Sequence, residues 1–94
     1  MAVYLIANFD IVDPDGYREY QKVAGPIVAG GKVIALDPAS VIKEGEPGAQ
    51  TVVIEYPDKE TALAAYESED YQAVIGMRLA ATTNGSAVIV DGIG

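Results

Sequence analysis

Thr51-Val-Val-Ile-Glu-Tyr-Pro-Asp58, followed through Tyr66 to Tyr71-Gln-Ala-Val-Ile-Gly-Met-Arg78, is the stretch on which the fold turns. Residues 50–56 alternate as a strand does, with Val52, Ile54 and Tyr56 pointing one way and Thr51, Val53 and Glu55 the other. Pro57-Asp58 then breaks the strand. Asp58 is placed to cap a helix over residues 62–66, and Ser68 to cap a second over 69–81. In the second helix Tyr71, Val74, Ile75 and Arg78 stand at i, i+3, i+4 and i+7, so they share one stripe. Arg78 is the only charged residue between Asp70 and Asp91. A guanidinium on an apolar stripe keeps its charge, so once packed it needs a carboxylate, a carbonyl or an anionic ligand.

Upstream, residues 2–10 alternate with Val3, Leu5, Ala7 and Phe9 on one face and Tyr4, Ile6, Asn8 and Asp10 on the other. Asp13-Pro14 opens a helix, the aspartate capping free N–H groups and the proline suiting the first helical position. That helix carries Tyr17, Tyr20, Val23 or Ala24, and Ile27 inward. Gly25-Pro26 loosens its last turns, and Gly30-Gly31 ends it. Residues 32–37 form a strand that Pro38 interrupts, with extended structure resuming over 40–44 and a turn at Glu44-Gly45-Glu46-Pro47-Gly48. Asn84-Gly85 reads as the stop before a final strand over 87–91.

The 94 residues make one domain, residues 1–94, because a chain this short buries only about two-thirds of its unfolded surface and has no room for a second core. Half of the residues are hydrophobic, enough for a folded core. The net charge of −8 repels phosphate backbones and anionic bilayers, which argues against nucleic acid or a membrane surface as partner. With neither cysteine nor histidine, the chain lacks a disulfide framework, a thiolate and the commonest metal ligand, so the expectation is no metal and no cofactor. Residues 1–10 read as a strand and not a signal peptide, and no apolar run reaches membrane-spanning length, so a soluble cytoplasmic protein is the expectation.

The element order is β-α-β-β-α-β, an α+β, ferredoxin-like plan with a four-stranded antiparallel sheet and the helices on one face. The other sheet face offers Tyr4, Ile6, Val53 and either Val88 with Val90 or Ala87 with Ile89. That much apolar sheet predicts a partner, most simply a second copy in a symmetric homodimer.

Asp13-Pro14-x-x-Tyr17-x-x-Tyr20, Gly30-Gly31-Lys32, Glu44-Gly45, Val53-Ile54-Glu55-Tyr56, residues 62–66, Tyr71-Gln72 and Arg78 resemble, in that order, the pattern of the domain of unknown function 1330 family. The resemblance covers residues 3–92 and implies a dimeric α/β-barrel, the fold also used by antibiotic-biosynthesis monooxygenases and muconolactone isomerases. It implies no established reaction and no catalytic residue.

The candidate chemistry therefore comes from the residues. Arg78 with Glu55 forms either a structural ion pair or a fork that orients a substrate carboxylate or enolate, with Glu55 alternatively a base and Tyr71 a phenolic acid. Tyr20 and Tyr66, with Tyr17 and Tyr71, line a pocket or simply build the core. Tyr4 and Asn8 share one strand face, where Asn8 either stabilises an oxyanion or satisfies a neighbour. The acidic run Asp13-Pro14-Asp15-Gly16 lacks calcium-loop spacing, and Gly30-Gly31 lacks that of a phosphate loop. The reading is a protein that binds or transforms a small aromatic or enolisable molecule in a cavity between sheet and helices. A non-catalytic, dimeric interaction module is the alternative, and the sequence leaves open whether the protein is an enzyme.

Overall fold

The computed structural model describes residues 1–25 and 30–94. The elements follow the order β1 (Val3–Ile11), α1 (Pro14–Ala24), β2 (Lys32–Asp37), β3 (Gln50–Tyr56), α2 (Lys59–Glu67), α3 (Glu69–Ala81) and β4 (Thr82–Asp91). The strands form one four-stranded sheet in the order β2-β3-β1-β4, and every neighbouring pair is antiparallel. This is the ferredoxin-like arrangement, with the second crossover helix broken at Ser68, whose backbone is extended (φ −59°, ψ 148°).

The register decides which side chains meet. Leu5 faces Ile54 and Ile89, and Ala7 faces Val52 and Ala87, so these residues share the helix-covered face. Two core clusters lie under the helices. Val3, Ile54, Tyr56 and Ala62 form one, and Ala7, Phe9, Tyr17 and Ala81 the other. Tyr4 faces Glu55 and Val90 while Ile6 faces Val53 and Val88, which puts these on the opposite face. Val88 with Val90, not Ala87 with Ile89, therefore completes the second apolar face, where they are 51% and 38% exposed. Among the described residues no helix covers that face.

Several boundaries differ from the sequence expectation. Residues 40–44 join no ladder. They belong to an irregular arm, residues 38–49, fastened by single contacts: the Ser40 N–H donates to the Ala49 carbonyl (2.9 Å), and the Ser40 and Thr51 hydroxyls share a hydrogen bond (2.7 Å). Asn84-Gly85 does not precede β4 but lies within it, because the chain passes from α3 into the strand at Thr82 without a turn. The Thr82 hydroxyl closes the helix by donating to the Arg78 carbonyl (2.7 Å), doing the work expected of a glycine cap. α2 starts at Lys59, three residues before the expected position, because Asp58 caps it through the Thr61 N–H (2.7 Å). Pro26 and Ile27 lie outside the described residues; Gly30 has a left-handed backbone (φ 85°), but α1 ends at Ala24 with Gly25 as its C-cap, so the expected cap at Gly30-Gly31 is not what closes it. No helix among the described residues is long and apolar enough to cross a membrane.

Candidate functional site

The helix caps aim the aromatic residues. Asp13 accepts from the Gly16 N–H (3.1 Å) with Pro14 in the first turn, which fixes the rotation of α1 and turns Tyr17, Tyr20 and Ala24 toward the sheet. Ser68 accepts from the Tyr71 N–H (3.1 Å) and donates to the Ala65 carbonyl (3.0 Å), which fixes α3 in the same way. Tyr71, and Arg78 two turns later, then point inward, 8% and 9% exposed. The carbonyl at the end of α3, that of Ala81, accepts from the N–H groups of Val12 and Asp13, which clamps the start of α1 against the end of α3.

The result is a run of aromatic rings between helices and sheet. Phe9 and Tyr17 have centroids 5.5 Å apart, Tyr17 and Tyr20 5.6 Å, Tyr20 and Tyr71 6.4 Å, and Tyr71 and Tyr66 5.3 Å. The Tyr20 and Tyr71 hydroxyls share a hydrogen bond of 2.7 Å. At one end the Arg78 guanidinium lies over the Phe9 ring, 5.8 Å from its centroid, a cation–π arrangement.

Two cavities meet at Phe9 and Arg78. One, of about 190 Å³, runs under α1 and is walled by Leu5, Val33, Leu36, Val52, Ile54 and Tyr20. The other, of about 290 Å³, opens between α3 and β4, where Tyr66, Thr83 and Ser86 contribute hydroxyls. Among the described residues Arg78 is the only charged one lining either. Among the described residues its guanidinium has neither an ion-pair partner nor a hydrogen-bond acceptor. The ion pairs there, Arg18–Asp15, Lys22–Glu19 and Lys59–Asp91, are all at the surface.

Burial raises the Tyr20 phenol far above its ordinary value, the hydrogen bond shared with Tyr71 adds to the rise, and the nearby Arg78 charge opposes it. Tyr17 is also raised by burial, with a hydrogen bond to Gln50 and the Arg78 charge opposing. At neutral pH these phenols are protonated, so they offer hydrogen bonds and do not take protons. The arrangement can bind a small anion at one fixed positive charge, beside aromatic faces and neutral hydroxyls.

The other expected site residues lie elsewhere. Ile54 faces the helices, so its neighbour Glu55 stands on the opposite face and the sheet separates it from Arg78; no Glu55–Arg78 fork forms. Glu55 instead accepts a long hydrogen bond from the Tyr4 hydroxyl (3.4 Å). Asn8, on the same outer face, is committed to the arm. Its amide donates to the Gly48 carbonyl and to the Thr51 hydroxyl (3.0 Å each), and its oxygen accepts from the Gly48 N–H (2.6 Å). Gly48 passes so close to the Phe9 backbone that a Cβ there would come within 2.2 Å of it. The structure therefore brings together Arg78, Tyr20, Tyr71 and Tyr66, and leaves Glu55, Tyr4 and Asn8 outside the cavities. Phe9, the platform under the guanidinium, escaped the sequence reading. Alternation marked it as inward-facing, but nothing local shows which helix residue lands on it. No cluster of three or more acidic side chains that could hold a metal occurs among the described residues.

Comparison with solved structures finds the same fold at low sequence identity. A protein of unknown function from Rhodopseudomonas palustris superposes with a TM-score of 0.79 at 18% identity, covering 99% of this chain and 83% of that one. A dimeric ferredoxin-like protein of unknown function from Thermobifida fusca gives 0.71 at 18%, covering 98% and 92%. SnoaB, a cofactor-independent oxygenase from Streptomyces nogalater, gives 0.66 at 11%, covering 99% and 94%. At these identities the likeness is one of fold. Among curated proteins none matches the chain. The sequence pattern of one family, described only as a domain of unknown function, matches residues 2–93, and the chain thereby belongs to the DUF1330 family.

Proposed function

We propose that this protein binds a small aromatic or enolisable molecule in its anionic form, in the cavities that meet at Arg78, and does so as a homodimer without metal or haem. The observation that carries the reading is Arg78. Arg78 is only 9% exposed as a residue, yet no fully buried side-chain nitrogen or oxygen among the described residues lacks a hydrogen-bond partner, so its guanidinium, which has no acceptor there, opens onto the cavities as a positive charge free to meet an anion. Tyr20 and Tyr71 supply donors beside it, and Tyr66 closes the far side. Turnover without a resident cofactor is compatible with the fold, since SnoaB is described as a cofactor-independent oxygenase. The homodimer rests on the uncovered apolar face and on neighbours described as dimeric.

The test is a thermal-shift screen of phenols, quinones, lactones and small carboxylic acids against the wild-type protein and Arg78→Gln. A ligand at a hundred times its Kd adds about 2.7 kcal/mol of stability. A shift present in wild type and absent in a folded Arg78→Gln supports the reading. If no compound shifts the wild type, the non-catalytic interaction module is the better account.

A further inference from the structure

Resting on that reading, we infer the ligand's chemical class: a monocarboxylate that arrives already ionised, carries an apolar body, and bears one hydrogen-bonding oxygen near the carboxylate. The argument starts from charge. Among the described residues Arg78 is the only ionic group lining either cavity, and the chain carries −8 overall, so the site neutralises one negative charge and no more. Phosphate esters and dicarboxylates would bring a second charge into apolar surroundings with no cation to meet it.

The ligand must also bring its own charge. Among the described residues no carboxylate, histidine or lysine lines either cavity, and Glu55 stands on the far face of the sheet. The chain therefore offers no base at neutral pH to ionise a weak acid in place. A carboxylic acid is ionised before it binds.

The two cavities differ in kind, and this fixes the rest. Under α1 the walls beside Arg78 are aliphatic, with Leu5, Val52 and Ile54 presenting no polar group, and accept an apolar body. On the other side of Phe9, Tyr66 lines the cavity that Arg78 also lines, and its hydroxyl makes no hydrogen bond among the described residues. A ligand whose carboxylate sits on Arg78 would bury its body in the first cavity and turn an adjacent oxygen toward Tyr66. Both protein groups would then be satisfied at once.

Isothermal titration of the wild-type protein with 3-phenylpropionate, 2-hydroxy-3-phenylpropionate, 2-phenylethanol and phenyl phosphate tests this. Both carboxylates are expected to bind, the hydroxy acid at least fivefold more tightly, with the neutral alcohol and the phosphate at least tenfold weaker. Tyr66→Phe, which deletes a hydroxyl without a protein partner among the described residues, should remove the hydroxy acid's advantage over 3-phenylpropionate. Arg78→Gln should lose both acids, and Arg78→Lys should recover part of the binding. Equal affinity for the two acids in wild type, an advantage that survives Tyr66→Phe, or tighter binding of the phosphate overturns the ligand class while leaving the site at Arg78 standing. Failure of both acids in the wild-type protein overturns this inference, while the site reading falls only if the wider screen also finds no compound that shifts the wild type.

Discussion

The hydroxyls of Tyr20 and Tyr71 lie 2.7 Å apart and join α1 to α3 across the aromatic run. Their hydrogen bond is part-buried, and Tyr71→Phe leaves the Tyr20 hydroxyl with no partner among the described residues. A loss of about 1 kcal/mol is expected, read as a fall in Tm of roughly 4–8 °C in a domain of this size.

The same phenols predict sensitivity to alkali. Tyr17, Tyr20 and Tyr56 all have folded-state pKa values raised above 10.0, chiefly by burial. Below pH 10 these groups are protonated in both folded and unfolded chains, and their contribution to stability is complete. Above it the unfolded chain releases protons that the folded chain keeps, so stability falls as pH rises. The slope is at most about 1.4 kcal/mol per pH unit for each tyrosine, and less for Tyr20, which retains some solvent contact. Urea midpoints from pH 8 to 11 measure this, and Tyr17→Phe should flatten the decline. A midpoint that stays level to pH 11 contradicts neutral buried phenols.

Arg78 should be a residue whose loss changes the ligand-free protein little. Replacement by Met keeps the length of the side chain and removes a buried cation. The losses are the stacking on Phe9, about 0.5–1 kcal/mol, and the favourable charge in the last turn of α3, about 0.3–1 kcal/mol. The gain is smaller than for a fully buried ion, because no fully buried side-chain nitrogen or oxygen among the described residues lacks a hydrogen-bond partner and the guanidinium therefore opens onto the cavities. Arg78→Met is therefore expected to change ligand-free stability by no more than about 1 kcal/mol, while abolishing carboxylate binding. A loss of roughly 3–5 kcal/mol, the mark of a broken buried pair, would show that Arg78 is an ordinary structural partner.

Most of the fold was legible because its signals are local. The alternation of residues 50–56, the caps Asp13, Asp58 and Ser68, and the stripe of Tyr71 and Arg78 each follow from neighbouring residues, and each stands where expected. The start of β4 was not legible. Asn84-Gly85 has turn chemistry, and the structure does place Asn84 at a positive φ (55°), but the sheet absorbs it within a strand. The candidate site was half legible for the same reason. Arg78 declares its need for a partner from its own stripe, whereas the supposed partnership with Glu55 depends on which way a strand faces. A shift of one residue reverses that.

The uncovered sheet face predicts the consequence of a charge at its centre. Val88 faces Ile6 across the ladder and is 51% exposed in the single chain, so Val88→Asp removes little packing within the subunit. In a symmetric dimer built on that face it sets an aspartate, and its symmetry mate, into a desolvated apolar contact. Light scattering should report a two-chain mass for wild type and a one-chain mass for Val88→Asp, with Leu63→Asp on α2 remaining dimeric as a control. A Val88→Asp protein that keeps the wild-type mass places the subunit contact elsewhere.

Asn8 separates a structural polar residue from a functional one. Its side chain satisfies both the N–H and the carbonyl of Gly48, a buried residue held tightly against Phe9. Asn8→Ala leaves two backbone groups of the arm unpaired, at a cost of about 1–3 kcal/mol each, and Tm should fall on the order of 10 °C or more. The arm would loosen where residues 38–49 join β3, while Arg78, Tyr20 and Tyr66 keep their positions on the other side of the sheet. Carboxylate affinity, measured well below the lowered Tm, should then stay within about twofold of wild type, given that mutations with no shared partners act independently. If Asn8→Ala instead kept wild-type stability and lost the ligand, Asn8 would be a binding group and the cavity would have to reach the outer face. The two readouts move in opposite directions under the two accounts, so a single variant decides between them.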